Sequence, residues 1–273
     1  MNDTVTSADG TPIACTMIGS GPALLVVNGA LAHRDSHPTE GILARSLTDR
    51  HTVITYDRRG RGASGPAGPA LPAADAVAAE IADVAALIDL AGGKAAVLGL
   101  SSGAVLALEA VRAGLPITAL ALWEPPFVVN GARPPLGPGY RERLQRALAE
   151  GRPGDALAQF FAEAAGFPAE AVAPMRAEPF WAGMERLAPS LAHDAAVMGD
   201  TQSGDPAALD RFAGVGVPAL VMYGGASEPW LAGAATALAA VLPDATLREL
   251  PGQDHDVAPD LLMTALTTWL PAY

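Results

Sequence analysis

The sequence predicts an α/β fold: a doubly wound, mostly parallel sheet of about eight strands flanked by helices, carrying one helical insertion. Three observations predict it. Short apolar runs without polar alternation recur at 23–27, 52–56, 95–99, 117–123 and 217–223, and such runs read as strands buried on both faces. Longer stretches with helical periodicity lie between several of them, as right-handed crossovers between parallel strands require. Residues 128–212 break that rhythm, with helical patches punctuated by proline and glycine and no convincing strand.

Taken in order, Thr4–Ser7 and Pro12–Ile18 flank an Asp9-Gly10 pair suited to a tight hairpin. Ala23–Val27 and Thr52–Tyr56 are the first buried strands. In Ala73–Ala91, residues Val77, Ile81, Val84, Leu87 and Ile88 recur at helical spacing. Strand Ala95–Gly99, helix Ser102–Ala113 and strand Ile117–Trp123 follow. The insertion holds helical patches at Gly139–Glu150, Gly154–Ala165, Ala169–Ala177 and Trp181–Met198. The sheet resumes at Val217–Tyr223, then helix Leu231–Leu242, strand Thr246–Leu250 and helix Pro259–Leu270. The expected organisation is a core of residues 1–127 and 213–273, with 128–212 as the insertion.

Composition narrows the function. In 273 residues half are apolar, ample for a large core, and the net charge of −12 opposes nucleic-acid phosphates and anionic membranes. One cysteine, Cys15, excludes an intrachain disulfide and any multi-cysteine metal site. The polar, acidic MNDTVTSADG start is unlike a signal peptide, and no run approaches the ~18 apolar residues of a membrane span. The expectation is a cytoplasmic protein without metal or organic cofactor. Oligomeric state leaves no mark on the sequence.

The chemistry centres on VLGLSSGAV, residues 97–105, which reads strand, Gly-x-Ser-x-Gly, helix. The glycines leave room for a sharp turn that lifts Ser101 clear of the sheet at a helix N-terminus, where developing negative charge is favoured. With 29 glycines the bare pattern is weak; its place between an apolar strand and a helix makes Ser101 the expected nucleophile.

With this motif the chain resembles the α/β-hydrolase family over nearly its whole length. LLVVNGALA is similar to the family's strand-then-His-Gly segment, with Asn28 in place of the usual histidine. YDRRGRGASG resembles its Asp-x-Arg-Gly-x-Gly-x-Ser turn, and GQDHDVAP its terminal histidine loop. The resemblance implies a serine hydrolase with a helical cap formed by the insertion. It places the oxyanion hole at the backbone N–H groups of Ala30 and Ser102. Since these donors are main-chain atoms, Asn28 disturbs little. The arginines of DRRGRG are expected to organise loops near the elbow rather than touch substrate.

Ser101 needs a base. Of His33, His37, His51, His193 and His255, only His255 lies just beyond the last strand, where a loop can return over the sheet's carboxyl edge. His51 precedes a strand and belongs at the opposite edge, His193 reads as a helix-surface residue, and His33 and His37 as solvated loop. The acid is open: one of two residues, or no carboxylate at all. Many family members carry it after the seventh strand, three residues beyond a glycine, and counting from Gly224 puts Ser227 there. Counting from Gly225 gives Glu228 at the cost of one extra loop residue. Glu124 ends the strand next to the nucleophile's strand, at the edge where such folds gather ligands, and Pro125-Pro126 hold its exit extended. Some relatives carry their acid at that position. Glu124 is the preferred acid and Glu228 the alternative.

The expected activity is cleavage of a carboxylic ester, lactone or thioester through an acyl-enzyme. Alternatives are a carbon–carbon bond hydrolase or lyase using the same triad, or a non-catalytic ligand-binding member of the fold. Aromatic residues in the insertion, including Phe160, Phe161, Phe167 and Trp181, suggest a small to medium hydrophobic substrate.

Overall fold

The computed structural model describes residues 2–34, 45–68, 70–129 and 131–270. His37 lies outside the described residues. The chain builds one eight-stranded sheet from β1 (Asn2–Thr6), β2 (Pro12–Gly19), β3 (Ala23–Val27), β4 (Thr52–Tyr56), β5 (Ala95–Leu100), β6 (Ile117–Trp123), β7 (Ala219–Gly224) and β8 (Ala245–Leu250). Their spatial order is β1-β2-β4-β3-β5-β6-β7-β8. The β1–β2 and β2–β4 pairs are antiparallel and all later pairs parallel.

Helices α1 (Ala73–Leu90), α2 (Ser102–Arg112) and α8 (Pro229–Val241) cover one face of the sheet. Their residues Val84, Leu87, Ala104, Leu108, Ala235 and Leu238 share a buried cluster with Leu25, Val27, Val97 and Leu122. Helix α9 (Pro259–Trp269) covers the other face, packing Leu262 and Leu266 with Leu24, Val26, Leu98 and Trp123. Successive residues of β3 thus point into different cores, which is why that strand shows no polar alternation.

Between β6 and β7 lie α3 (Tyr140–Ala149), α4 (Pro153–Gln159), α5 (Ala169–Met175), α6 (Trp181–Glu185) and α7 (Leu191–Met198). Leu144, Ala156, Leu157, Phe161, Trp181 and Leu191 form a third buried cluster, which Leu31 joins from the β3 loop. Three details differ from the sequence expectation. The stretch expected as one helix from Gly154 to Ala165 widens into a π-turn at Phe160–Ala164. The expected Trp181–Met198 helix breaks into α6, a 3₁₀ turn at Ala188–Ser190, and α7. Pro189 lacks an N–H and its ring crowds the carbonyl four residues back, which stops the ladder there. A further 3₁₀ helix, Pro206–Phe212, capped by Asp205 accepting from the Ala207 N–H at 2.9 Å, carried no helical signal.

The topology puts the site at the sheet's centre. From β3 the chain moves outward to β4, then returns across to β5, so the β3 and β5 carboxyl ends flank the switch point. The register aligns these ends, with Val27 beside Gly99, Leu100 beside Trp123, and Gly224 beside Leu250. Among the described residues no helix is long and apolar enough to cross a membrane.

Candidate active site

Ser101 sits between β5 and α2 with φ 53° and ψ −122°, a backbone conformation L-residues rarely adopt. The flanking glycines permit it. A Cβ on Gly103 would lie 2.1 Å from the Val27 carbonyl oxygen, so only glycine lets α2 start this close to β3. The Ser101 N–H donates to the Trp123 carbonyl at 2.8 Å, tying the turn to the neighbouring strand.

Beyond β3, residues 28–31 pass directly in front of the serine. A Cβ on Gly29 would stand 2.9 Å from Ser101 Cβ. Leu31 turns the chain away with φ 58°. Ala30, Ser101 and Ser102 line the same cavity wall. As the first residue of α2, Ser102 has a backbone N–H with no partner within the helix.

Glu124 follows β6 directly, has φ 43°, and is completely buried. Its Oε2 lies 2.7 Å from His255 Nδ1. Its Oε1 accepts from the Gly224 N–H at 2.8 Å and from Ser227 Oγ at 2.5 Å. Ser227, which the ungapped count puts where many family members carry an acid, here donates a hydrogen bond to the acid on the adjacent strand. Glu228 is exposed and precedes α8, and no hydrogen bond or ion pair joins it to His255. The structure therefore brings Glu124, not Glu228, to the imidazole. The His255 side chain is 51 % exposed, against 0 % for Glu124. Trp123 Nε1 donates to the His255 carbonyl at 3.1 Å, so β6 holds the histidine loop by both its last residue and the acid.

The other described histidines are placed elsewhere in the fold. His51 is buried just before β4, at the opposite sheet edge as expected. His33 is half-buried in the β3 loop. His193 corrects an expectation: it is 5 % exposed rather than on a helix surface, with Nε2 3.0 Å from the Ala67 carbonyl. Burial holds its pKa below the ordinary histidine value. The helix α7 that carries it is buried along nearly its whole length against α1, α2 and α3.

The arginines of the β4 loop are buried and fully engaged. Arg59 pairs with Asp83 and Asp9, and Asp57 accepts from Arg34 and from the Ala63 N–H, which closes the turn. Arg58 donates to both carboxylate oxygens of Glu80, at 2.8 and 2.7 Å, to Asp194 Oδ1 at 2.8 Å and to Ser102 Oγ at 3.1 Å. Arg61 donates to Asp194 Oδ2 at 2.6 Å and to the Gly29 carbonyl. Asp194, on α7, escaped the sequence reading. Burial alone would raise its pKa, but Arg61 and Arg58 outweigh that and hold it below the usual carboxylate range. Its one signal in sequence is a bare acid inside LAHDAAV, an otherwise mostly apolar helical run.

A cavity of about 810 Å³ opens over Ser101 and His255. The segment between β6 and β7 contributes Tyr140, Phe160, Phe161, Phe167, Met184 and Leu191 to its wall. Trp123, Trp230 and Leu231 come from the sheet side, and Glu228, Asp254 and Asp256 also border it. The arrangement supplies a strained serine, an imidazole oriented by a buried carboxylate, and an apolar chamber above both.

Comparison with known proteins agrees with this architecture. The family model described as "Alpha/beta hydrolase family" matches residues 24–263. An alpha/beta hydrolase from Sphaerobacter thermophilus is 47 % identical, with 98 % of this chain and 100 % of that one covered, at a TM-score of 0.86. A thermophilic esterase from Thermogutta terrifontis, 23 % identical over 99 % and 98 % of the two chains with a TM-score of 0.69, shares the fold. So does the enol-lactonase from Burkholderia xenovorans, 21 % identical over 98 % and 99 % with a TM-score of 0.69. No curated protein sequence matches the chain. On its sheet topology and on a family match covering most of its length, this chain belongs to the alpha/beta hydrolase family.

Proposed function

We propose that the protein is a serine hydrolase that cleaves a carboxylic ester, lactone or thioester through an acyl-enzyme. The observation that carries this reading is the 2.7 Å contact between His255 Nδ1 and the buried Glu124 carboxylate, in the same chamber wall as Ser101. With Nδ1 held by Glu124, Nε2 is the ring nitrogen left to take the serine proton, through a contact made once substrate is bound.

Ser101 Oγ attacks the substrate carbonyl carbon as its proton passes to His255 Nε2. The carbonyl oxygen becomes an oxyanion held by the Ala30 and Ser102 N–H groups. Collapse breaks the bond to the alcohol or thiol, which leaves with the proton from His255. Water then adds to the acyl-enzyme, giving its proton to His255, and collapse releases the carboxylic acid and returns the proton to Ser101. The Glu124 carboxylate stabilises the imidazolium formed in each half. The helices between β6 and β7 act as a cap that shields these steps from bulk water. The aromatic chamber suits an apolar acyl group of small to medium size.

The test is a panel of p-nitrophenyl esters of increasing acyl length, with a lactone and a thioester, assayed on wild type and Ser101→Ala. Turnover by wild type, lost in the variant, and an acyl adduct on Ser101 in the mass spectrum are expected. Turnover of a β-diketone or hydroxynitrile with none of the esters, lactone or thioester would move the reaction to carbon–carbon bond cleavage.

A further inference from the structure

The helices between β6 and β7 do more than roof the chamber. One of them sends a buried carboxylate, Asp194, beneath the two backbone segments assigned to the oxyanion hole. The Gly29 carbonyl and the Ala30 N–H belong to one planar trans peptide and point in opposite directions. Whatever holds that carbonyl therefore aims that N–H. Arg61 Nη1 donates to the Gly29 oxygen and, at 3.3 Å, to the Ala32 oxygen. Arg58 Nη1 reaches the preceding carbonyl, Asn28, at 3.2 Å. Both guanidiniums are wholly buried, and each is placed by a carboxylate.

The two carboxylates are not equivalent. Glu80 serves Arg58 alone, whereas Asp194 bridges both arginines, and among the described residues it is the only carboxylate paired with Arg61. Asp194 Oδ1 also accepts from Ser102 Oγ at 2.7 Å, which reaches the second oxyanion donor directly. Arg61 Nε is held by Ser190 Oγ at 3.0 Å, from the turn leading into α7. One α7 carboxylate thus fixes the peptide of Ala30 through Arg61 and the first residue of α2 through Ser102.

We propose that Asp194 is the positioning residue of the oxyanion hole, locking the Ala30 peptide and the Ser102 end of α2 into one geometry, so that the donors stand in place before substrate arrives. The inference rests on the reading of Ala30 and Ser102 as those donors. It makes the helical segment part of the reaction machinery, since the hole cannot hold its shape without α7. The guanidinium on the Gly29 oxygen also polarises that peptide and strengthens its N–H as a donor.

The experiment measures the rate at which a fluorophosphonate labels Ser101. Labelling forms the Ser101 Oγ–phosphorus bond, expels fluoride, passes the serine proton to His255, and needs the same hole for the phosphoryl oxygen. Asp194→Asn keeps the size of the side chain and removes its charge. Its labelling rate is expected to fall roughly 100-fold, with kcat per labelled site falling in parallel and KM within about threefold. A folded Asp194→Asn that labels within threefold of wild type, with only a lower Tm, overturns the proposal, because a merely structural clamp would change stability and leave the per-site rate alone. Should Asp194→Asn fail to fold, Ser102→Ala removes the hydroxyl link and leaves the ion pairs intact. It is expected to slow labelling about tenfold, and a rate within twofold of wild type overturns the proposal. Wild type that labels but turns over none of the esters, lactone or thioester sinks the proposed reaction, while the labelling rates still decide the role of Asp194.

Discussion

Glu124 and Asp194 are both buried carboxylates near the nucleophile, and they are held in opposite ways. Apart from His255, the partners of Glu124 are neutral, a backbone N–H and a serine hydroxyl. Asp194 lies between two fixed guanidiniums and a hydroxyl. Neutral donors orient a carboxylate without cancelling its field, so the charge remains for the imidazole when it takes a proton. A carboxylate already matched by fixed cations has little field to spare, and its directional bonds serve to hold loops. What separates a triad acid from a clamp is the charge of its other partners, not its depth.

The largest effect that bears on this contrast is at Glu124. Glu124→Gln is expected to lower kcat by about 10³–10⁴ with the circular dichroism spectrum and Tm near wild type, because the amide leaves imidazolium unstabilised. A loss under tenfold would mean that another group carries the charge.

Next comes the clamp. Glu80→Gln leaves Arg58 sharing Asp194 with Arg61, one uncompensated buried cation, and is expected to cost about 3–5 kcal/mol in urea unfolding at neutral pH. Burial acts to raise the Glu80 pKa, but Arg58 overcomes it and holds the carboxyl below its ordinary value. The stability Glu80 contributes is therefore complete above the ordinary glutamate pKa, about 4.3. It is lost as pH falls from there through the lower folded value. Unfolding free energies measured from pH 7 to pH 3 should show wild type and Glu80→Gln converging towards the acid end.

Ser227→Ala removes one donor to the triad acid, and a hydrogen bond to a charged group is worth roughly 1.5–3 kcal/mol. A fall of about tenfold or more in kcat is expected, and an unchanged rate would show that the Gly224 N–H alone suffices. The smallest effect belongs to Glu228→Gln, expected to leave kcat within about twofold in the same assay. A loss near that of Glu124→Gln would return the acid to the later loop.

Much of this site can be read from local pattern. Gly-x-Ser-x-Gly between an apolar strand and a helix locates the elbow. The end of β6 falls at Trp123 as the apolar run indicates, so Glu124 stands out as the first charge after it. The acid itself was open in sequence because Glu228 needs only one extra loop residue, and loop length does not tell which carboxylate turns inward. The clamp is harder to read. Asp194 meets Arg58 136 residues away and Arg61 133 away, and no local rule pairs charges over such a separation. His193 misleads for a related reason: α7 is too short and too small in side chain to show periodicity, so an all-round buried helix resembles a surface one. The π-turn at Phe160 is equally invisible, since one residue of extra winding leaves the apolar spacing almost intact.

The hydrogen bond from Ser227 to Glu124 also bears on how such an acid can change strands during descent. An aspartate at 227 would place a second carboxylate beside Glu124, and two adjacent carboxylates tend to share one proton and keep a single negative charge. That doubly acidic state still offers His255 an anion, whereas a chain with neither acid offers none. Relocation of the acid through single substitutions therefore has a preferred order, gain before loss. Ser227→Asp is expected to retain measurable turnover in the same ester assay, and complete loss would show that the two carboxylates cannot coexist.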